Sequence, residues 1–100
     1  MIYVVARIEL EPGSREAFLG YFRELVPKVL AERGCLAYLP TVEAPTALAK
    51  PAGRDVVVVL ETWQSIADLE MHLAAPHMVE FRKATASLRR SVELTILEPA

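Results

Sequence analysis

Cysteine is almost missing from this chain. Cys35 is the single thiol in 100 residues, so an internal disulfide framework is excluded and a reducing compartment, the cytoplasm, is expected. Histidine is scarce as well: His72 and His77 are the only two, and neither sits in a zinc-binding pattern. A glycine-rich phosphate loop, a Gly-x-Ser-x-Gly elbow and a dinucleotide fingerprint are all absent. No cofactor and no metal are therefore expected. Charge of one sign does not dominate. Eleven basic residues face thirteen acidic ones, a net charge of -2, which lacks the basic footprint of a nucleic-acid binder. The longest aliphatic run, Val56 to Leu60, is far too short to span a bilayer. The opening residues show no basic segment followed by an apolar stretch and a cleavage site, so no signal peptide and no membrane partner are expected.

What is present is a core. Hydrophobic residues make up 53% and charged residues 24%, which fits one folded domain over residues 1–100 rather than a disordered chain. A domain this small leaves much surface uncovered, so its apolar excess points to a partner subunit.

The patterning predicts the elements in turn. Residues 2–10 alternate, with Ile2, Val4, Ala6, Ile8 and Leu10 on one face and Tyr3, Val5, Arg7 and Glu9 on the other, which is a strand. Pro12-Gly13 ends it, and Ser14 suits a helix N-cap. Phe18, Phe22, Leu25, Val26, Val29 and Leu30 form a stripe that predicts a helix over 15–33, with Glu16, Arg23, Glu24 and Glu32 away from the core. Pro27 predicts a kink or break, and Gly34 suits the C-terminal cap. Cys35 to Val42 reads as a strand that Pro40 confines to an edge or a bulge. Residues 43–55 read as a long surface loop. Val56 to Trp63 is a strand whose apolar start fits burial on both faces. Ser65 caps a helix over 66–74 with Ile66, Leu69 and Leu73 inward, and Pro76 starts another over 77–89 with Met78, Phe81, Thr85 and Leu88 inward. Residues 91–97 alternate again through Val92, Leu94 and Ile96.

The order is β-α-β-β-α-β, the ferredoxin-like arrangement of an α+β domain: a four-stranded antiparallel sheet with helices on one face. The other face of such a sheet is bare. Tyr3, Val5 and the valines of the third strand would form an exposed apolar patch, which implies a homodimer joined sheet to sheet.

The residues able to do chemistry are few. His72 titrates near neutrality and is the first candidate for a catalytic base that takes a phenolic proton; its bland role is to cap a helix end. His77, at a helix start, either contacts substrate or satisfies local backbone groups. The five-residue spacing with a break between them does not suit two metal ligands. Trp63 either stacks on a planar substrate or anchors the core. Glu61, of the same parity, is expected to pair with Arg7 across adjacent strands, with a general base as the alternative. Tyr38 lines a cavity or covers the sheet, and Cys35 is a small hydrophobe without an activating histidine.

The stretch Glu61-Thr-Trp63-Gln-Ser-Ile-Ala-Asp-Leu-Glu-Met-His72-Leu-Ala-Ala-Pro-His77 resembles the antibiotic biosynthesis monooxygenase family, whose hallmark is Glu-x-Trp at the end of the third strand, a short helix ending in histidine, then Pro-His. The opening strand, Pro12-Gly13-Ser14 and Gly34-Cys35-Leu36-x-Tyr38 are similar to that family too, and the likeness covers nearly the whole chain except the long 43–55 loop. It implies a dimeric α+β barrel with a pocket between helices and sheet. It also implies a cofactor-independent monooxygenase acting on a small aromatic substrate: a quinol, a phenol or a polyketide-like ring. His72 would abstract the proton, Trp63, His77, Tyr38, Glu61 and Phe81 would contact the substrate, and the substrate would itself supply electrons to oxygen. Haem-degrading relatives use an asparagine on the first strand and a histidine in the later helix, where this chain has Ala6-Arg7 and Arg82-Lys83. A non-enzymatic dimeric metabolite-binding domain is the other alternative.

Overall fold

Alternation at period two builds β1, Ile2–Leu10. Its even-numbered side chains, from Ile2 to Leu10, are all buried under the helices, and Tyr3, Val5, Arg7 and Glu9 point the other way. The computed structural model describes every residue from Met1 to Ala100. Gly13 makes the turn after β1 with a positive φ of 79°, and its N–H donates to the Asp55 carboxylate at 3.1 Å. Ser14 precedes the first helix without a capping side-chain bond, because its backbone is already helical there.

α1, Arg15–Leu30, buries Phe18, Leu19, Phe22, Leu25 and Val29. It stops three residues short of the expected end and passes through Pro27 without a break. The proline lies in the last turn, where the loss of one donor interrupts little that follows. Ala31 is the cap, and Gly34 instead closes the turn that follows, with φ 78°. A side chain at Gly34 would collide with the Asp68 carboxylate.

β2, Cys35–Thr41, lies at the edge of the sheet, and its register shifts between Cys35 and Ala37. Pro40 is tolerated by the edge position alone, since the register is regular where it pairs with Val59. β3, Val56–Trp63, is central and points Val57, Val59, Glu61 and Trp63 into the core. Val56 and Val57 are both buried, so the start of the strand is covered on both faces as expected, but the cover on the second face is lost further along, where Leu60 is 43% exposed.

α2, Ile66–Ala74, begins at Ser65, whose hydroxyl accepts the Asp68 N–H at 3.1 Å. Its inward face is Leu69 and His72; Ile66 is largely outward, and Leu73, partly exposed, faces the space between the helices and the sheet. α3, Pro76–Ala84, is shorter than the predicted helix. Thr85 is completely buried and donates its hydroxyl back to the Phe81 carbonyl at 2.8 Å. Such back-bonding competes with helix continuation, and a 3-10 turn over Ala86–Leu88 leads into β4, Arg89–Leu97.

The four strands are antiparallel in the order β2-β3-β1-β4. This is the ferredoxin-like α+β fold. The helices do not reach across all of the sheet. Val92, Leu94 and Ile96 pair with Ile8, Ala6 and Val4 on the helix side, yet each is about half exposed. No helix is long and apolar enough to cross a membrane.

Candidate active site

A cavity of about 220 Å³ opens between the helices and the sheet, beside this uncovered part of β4. That is below the roughly 300–1,000 Å³ of drug-sized ligand sites and suits a small ring system. Its floor is Ala6, Ile8, Val59, Val92 and Leu94 from the sheet; its aromatic walls are Phe22, Tyr38 and Phe81. Phe22 and Tyr38 stack with centroids 5.3 Å apart, and Phe81 meets Phe22 edge-on at 5.7 Å. Against this apolar lining stand four polar side chains besides the Tyr38 hydroxyl: Glu61, His72, Arg82 and Arg89.

His72 is held by a carboxylate that sequence patterning assigned to the outer face of a helix. Because α1 ends at Leu30, Glu32 falls in the following turn and points inward, with its side chain only 13% exposed. Its oxygens lie 2.9 and 3.2 Å from His72 Nδ1, and one lies 2.6 Å from His77 Nε2. A carboxylate accepts, so both imidazoles donate. This places the His72 proton on Nδ1 and the lone pair on Nε2, which has no partner in the chain and is not sealed off. Burial pushes the His72 pKa down, outweighing the Glu32 hydrogen bond and charge that pull it up. The ring is therefore neutral at pH 7 and able to accept a proton.

Glu61 lies on β3 two residues before Trp63, so both point to the same side. Trp63 Nε1 donates to Glu61 Oε1 at 2.9 Å. Burial raises the Glu61 pKa to about 7, with the Trp63 bond opposing and the Glu32 charge adding. The expected pair with Arg7 does not form. Arg7 sits opposite Val58 on the far face of the sheet and approaches Glu9 at 3.6 Å.

Trp63 is fully buried and does not border the cavity. It packs behind His72, with ring centroids 4.7 Å apart. The structure thus brings Glu61, His72, Tyr38 and Phe81 to one cavity, with Trp63 supporting two of them. His77 borders a separate shallow pocket with Tyr21, Glu24 and Lys28. Burial, with the nearby Glu61 and Glu32 charges, raises the Tyr38 pKa, so it remains a phenol. Burial first, then the Glu32 charge, raises the Cys35 thiol to about 11, which leaves it unactivated. Sequence reasoning missed Glu32, Phe22, Arg82 and Arg89 as neighbours of the site. Phe22 was legible only as core, and no local signal separated Glu32 from the other acidic residues of the helix.

The profile of the family described as "Antibiotic biosynthesis monooxygenase" matches residues 1–84. The chain is 37% identical over 102 residues to "Probable quinol monooxygenase YgiN" of Escherichia coli, covering 99% of this chain and 98% of that protein. Among solved structures it is similar to PA3566 of Pseudomonas aeruginosa, with a TM-score of 0.82 at 26% identity over 99% of this chain and 93% of that one. Rv0793 of Mycobacterium tuberculosis gives a TM-score of 0.81 at 26% identity, over 99% and 94%. With Glu61 and His72 on one cavity, Trp63 packed behind them, and matches that run nearly the length of the chain, this protein belongs to the antibiotic biosynthesis monooxygenase family.

Proposed function

We propose that this protein is a cytoplasmic, homodimeric monooxygenase that oxidises a quinol or a related phenol with molecular oxygen and no cofactor. The observation that carries this is the neutral imidazole of His72 on the wall of an apolar cavity, with Glu32 holding Nδ1 and leaving Nε2 as acceptor. The name of the Escherichia coli relative, a quinol monooxygenase, supports the substrate class.

In this mechanism Nε2 of His72 takes the proton of a ring hydroxyl, and Glu61 binds a second hydroxyl. The resulting anion gives up electrons to oxygen far more readily than the neutral phenol. Oxygen bonds to a ring carbon as a hydroperoxide. Loss of water then leaves a new carbonyl. For a quinol the balance is quinol plus O₂ to hydroxyquinone plus water, so the substrate supplies all the electrons. The protein contributes a base, an orienting carboxylate and a water-poor cavity.

The test is oxygen uptake by the purified protein with hydroquinones, naphthohydroquinones and polyphenols, with no flavin or metal added, and with product mass measured. Incorporation of one atom of labelled oxygen into product is the expected result. A panel with no turnover above the spontaneous rate would sink the proposal and favour a binding domain.

A further inference from the structure

Two arginines line the cavity, and neither has a carboxylate partner. Arg82 comes from the last turn of α3 and Arg89 from the first residue of β4. The arginine ion pairs of this chain lie elsewhere, at Arg7, Arg33 and Arg90. Glu61, the one carboxylate on the cavity wall, is bonded by Trp63 and not by either arginine.

Neutral oxygens hold the two side chains instead. Arg82 Nη2 donates to the Leu73 carbonyl at 2.9 Å. Arg89 Nη2 donates to the Arg82 carbonyl at 2.7 Å, and its Nε donates to Thr85 Oγ1 at 3.1 Å. Thr85 is itself fully buried and tied to Phe81, so the Arg89 fork rests on a rigid support. These bonds set direction without neutralising charge, and they leave Nη1 of each arginine without a protein partner. Both arginines are half-buried, so their charge is partly shielded from water and has no counter-ion in the chain. A guanidinium fork is shaped to receive a carboxylate.

We propose that the cavity takes an anionic aromatic: a hydroxylated ring bearing a carboxylate that Arg82 and Arg89 bind, with the ring hydroxyl presented to His72 and Glu61. The ring and its hydroxyl rest on the phenol-oxidising function proposed above; the anion is argued from the arginines alone. The polar groups of the cavity then divide the work. The arginines select and orient the substrate, and His72 accepts the proton.

The experiment is anaerobic calorimetry on the full chain with matched pairs: hydroquinone against its ring carboxylate, gentisate, and naphthohydroquinone against dihydroxynaphthoate. At low salt the carboxylates should bind at least about ten-fold more tightly, as charge-assisted bidentate bonds allow, and the advantage should shrink as salt screens the charges. Arg82→Gln and Arg89→Gln should each reduce the preference, and Arg89→Lys should restore only part of it, keeping the charge but not the fork. Equal affinity within each pair, no binding of any probe, or a preference that survives both substitutions together would overturn the proposal. Because binding is read without oxygen, its outcome is separate from that of the oxidation assay. Carboxylate preference without turnover keeps the anion site and removes the monooxygenase mechanism; turnover of neutral quinols without carboxylate preference does the reverse.

Discussion

His72 Nε2 is the atom on which the proposed chemistry turns. His72→Ala removes the acceptor and should lower kcat about 10²–10³-fold, within the range for loss of a general base, with the fold retained by circular dichroism. Steady-state oxygen uptake reads this, and full activity in the variant would refute the assignment. Trp63→Phe should act differently from a stacking wall, since the indole is buried and reaches the cavity only through Glu61 and His72. Glu61 also makes a stability statement. Its pKa is about 7 in the folded chain against an ordinary 4.5, so between those values the native state binds more protons than the unfolded one. Stability from this group is therefore present at low pH and lost as pH rises to about 7, by an amount of about 3 kcal/mol. His72 works in the opposite sense, because its lowered pKa penalises folding as pH falls through the ordinary histidine value. Glu61→Gln, which keeps an acceptor for Trp63 and never ionises, should raise Tm at pH 8 and change it little at pH 5. Thermal melts at both values isolate Glu61 from His72.

Helix ends, more than helix interiors, place the site. α1 stops early and turns Glu32 inward; α2 carries His72 in its last turn; α3 stops before Thr85 and delivers Arg82 and Arg89 to the cavity wall. Gly34 is the tightest of these junctions. Its φ of 78° is strained for any other residue, and Asp68 occupies the space a side chain would need. Gly34→Ala should cost on the order of 1–3 kcal/mol from strain, plus displacement of Asp68 from the Ser65 cap. Ser65→Ala, losing the cap alone, should cost only about 1 kcal/mol. Urea denaturation of the two variants checks the ranking; equal losses would mean that the Gly34 conformation is not required.

At the scale of the molecule, one sheet has helices on one side only. The far face carries Tyr3, Val5, Leu39 and Leu60, and Tyr3, Leu39 and Leu60 are each at least 41% exposed. An apolar patch of this kind is unusual on a monomer, and it is the basis for the proposed homodimer. Val57 and Val59, though valines of the same strand, lie in the core and do not contribute to it. Leu60→Glu is the discriminating change. On a monomer it would be a mild surface substitution, whereas buried at a subunit interface it leaves an unpaired charge. Light scattering should give twice the chain mass of 11.1 kDa for the parent and a monomer or an unfolded chain for the variant. A parent that runs as a monomer at micromolar concentration would refute the dimer.

Local repetition along the chain determined the elements, their order and the buried row from Ile2 to Leu10, because patterns of period two and three to four act between near neighbours. Pro40 marked an edge strand for an equally local reason, its missing donor. The site depended on contacts that no local pattern encodes. Glu32 meets His72 and His77 across 40 and 45 residues, and only the docking of α2 and α3 against the end of α1 makes that possible. The register of β1 on β3 set Arg7 opposite Val58 and left Glu61 to Trp63, a choice that strand parity alone could not make. The residue types for the chemistry were visible in the sequence; their partners were decided by tertiary packing, since hydrogen bonds and desolvation depend on distance in space.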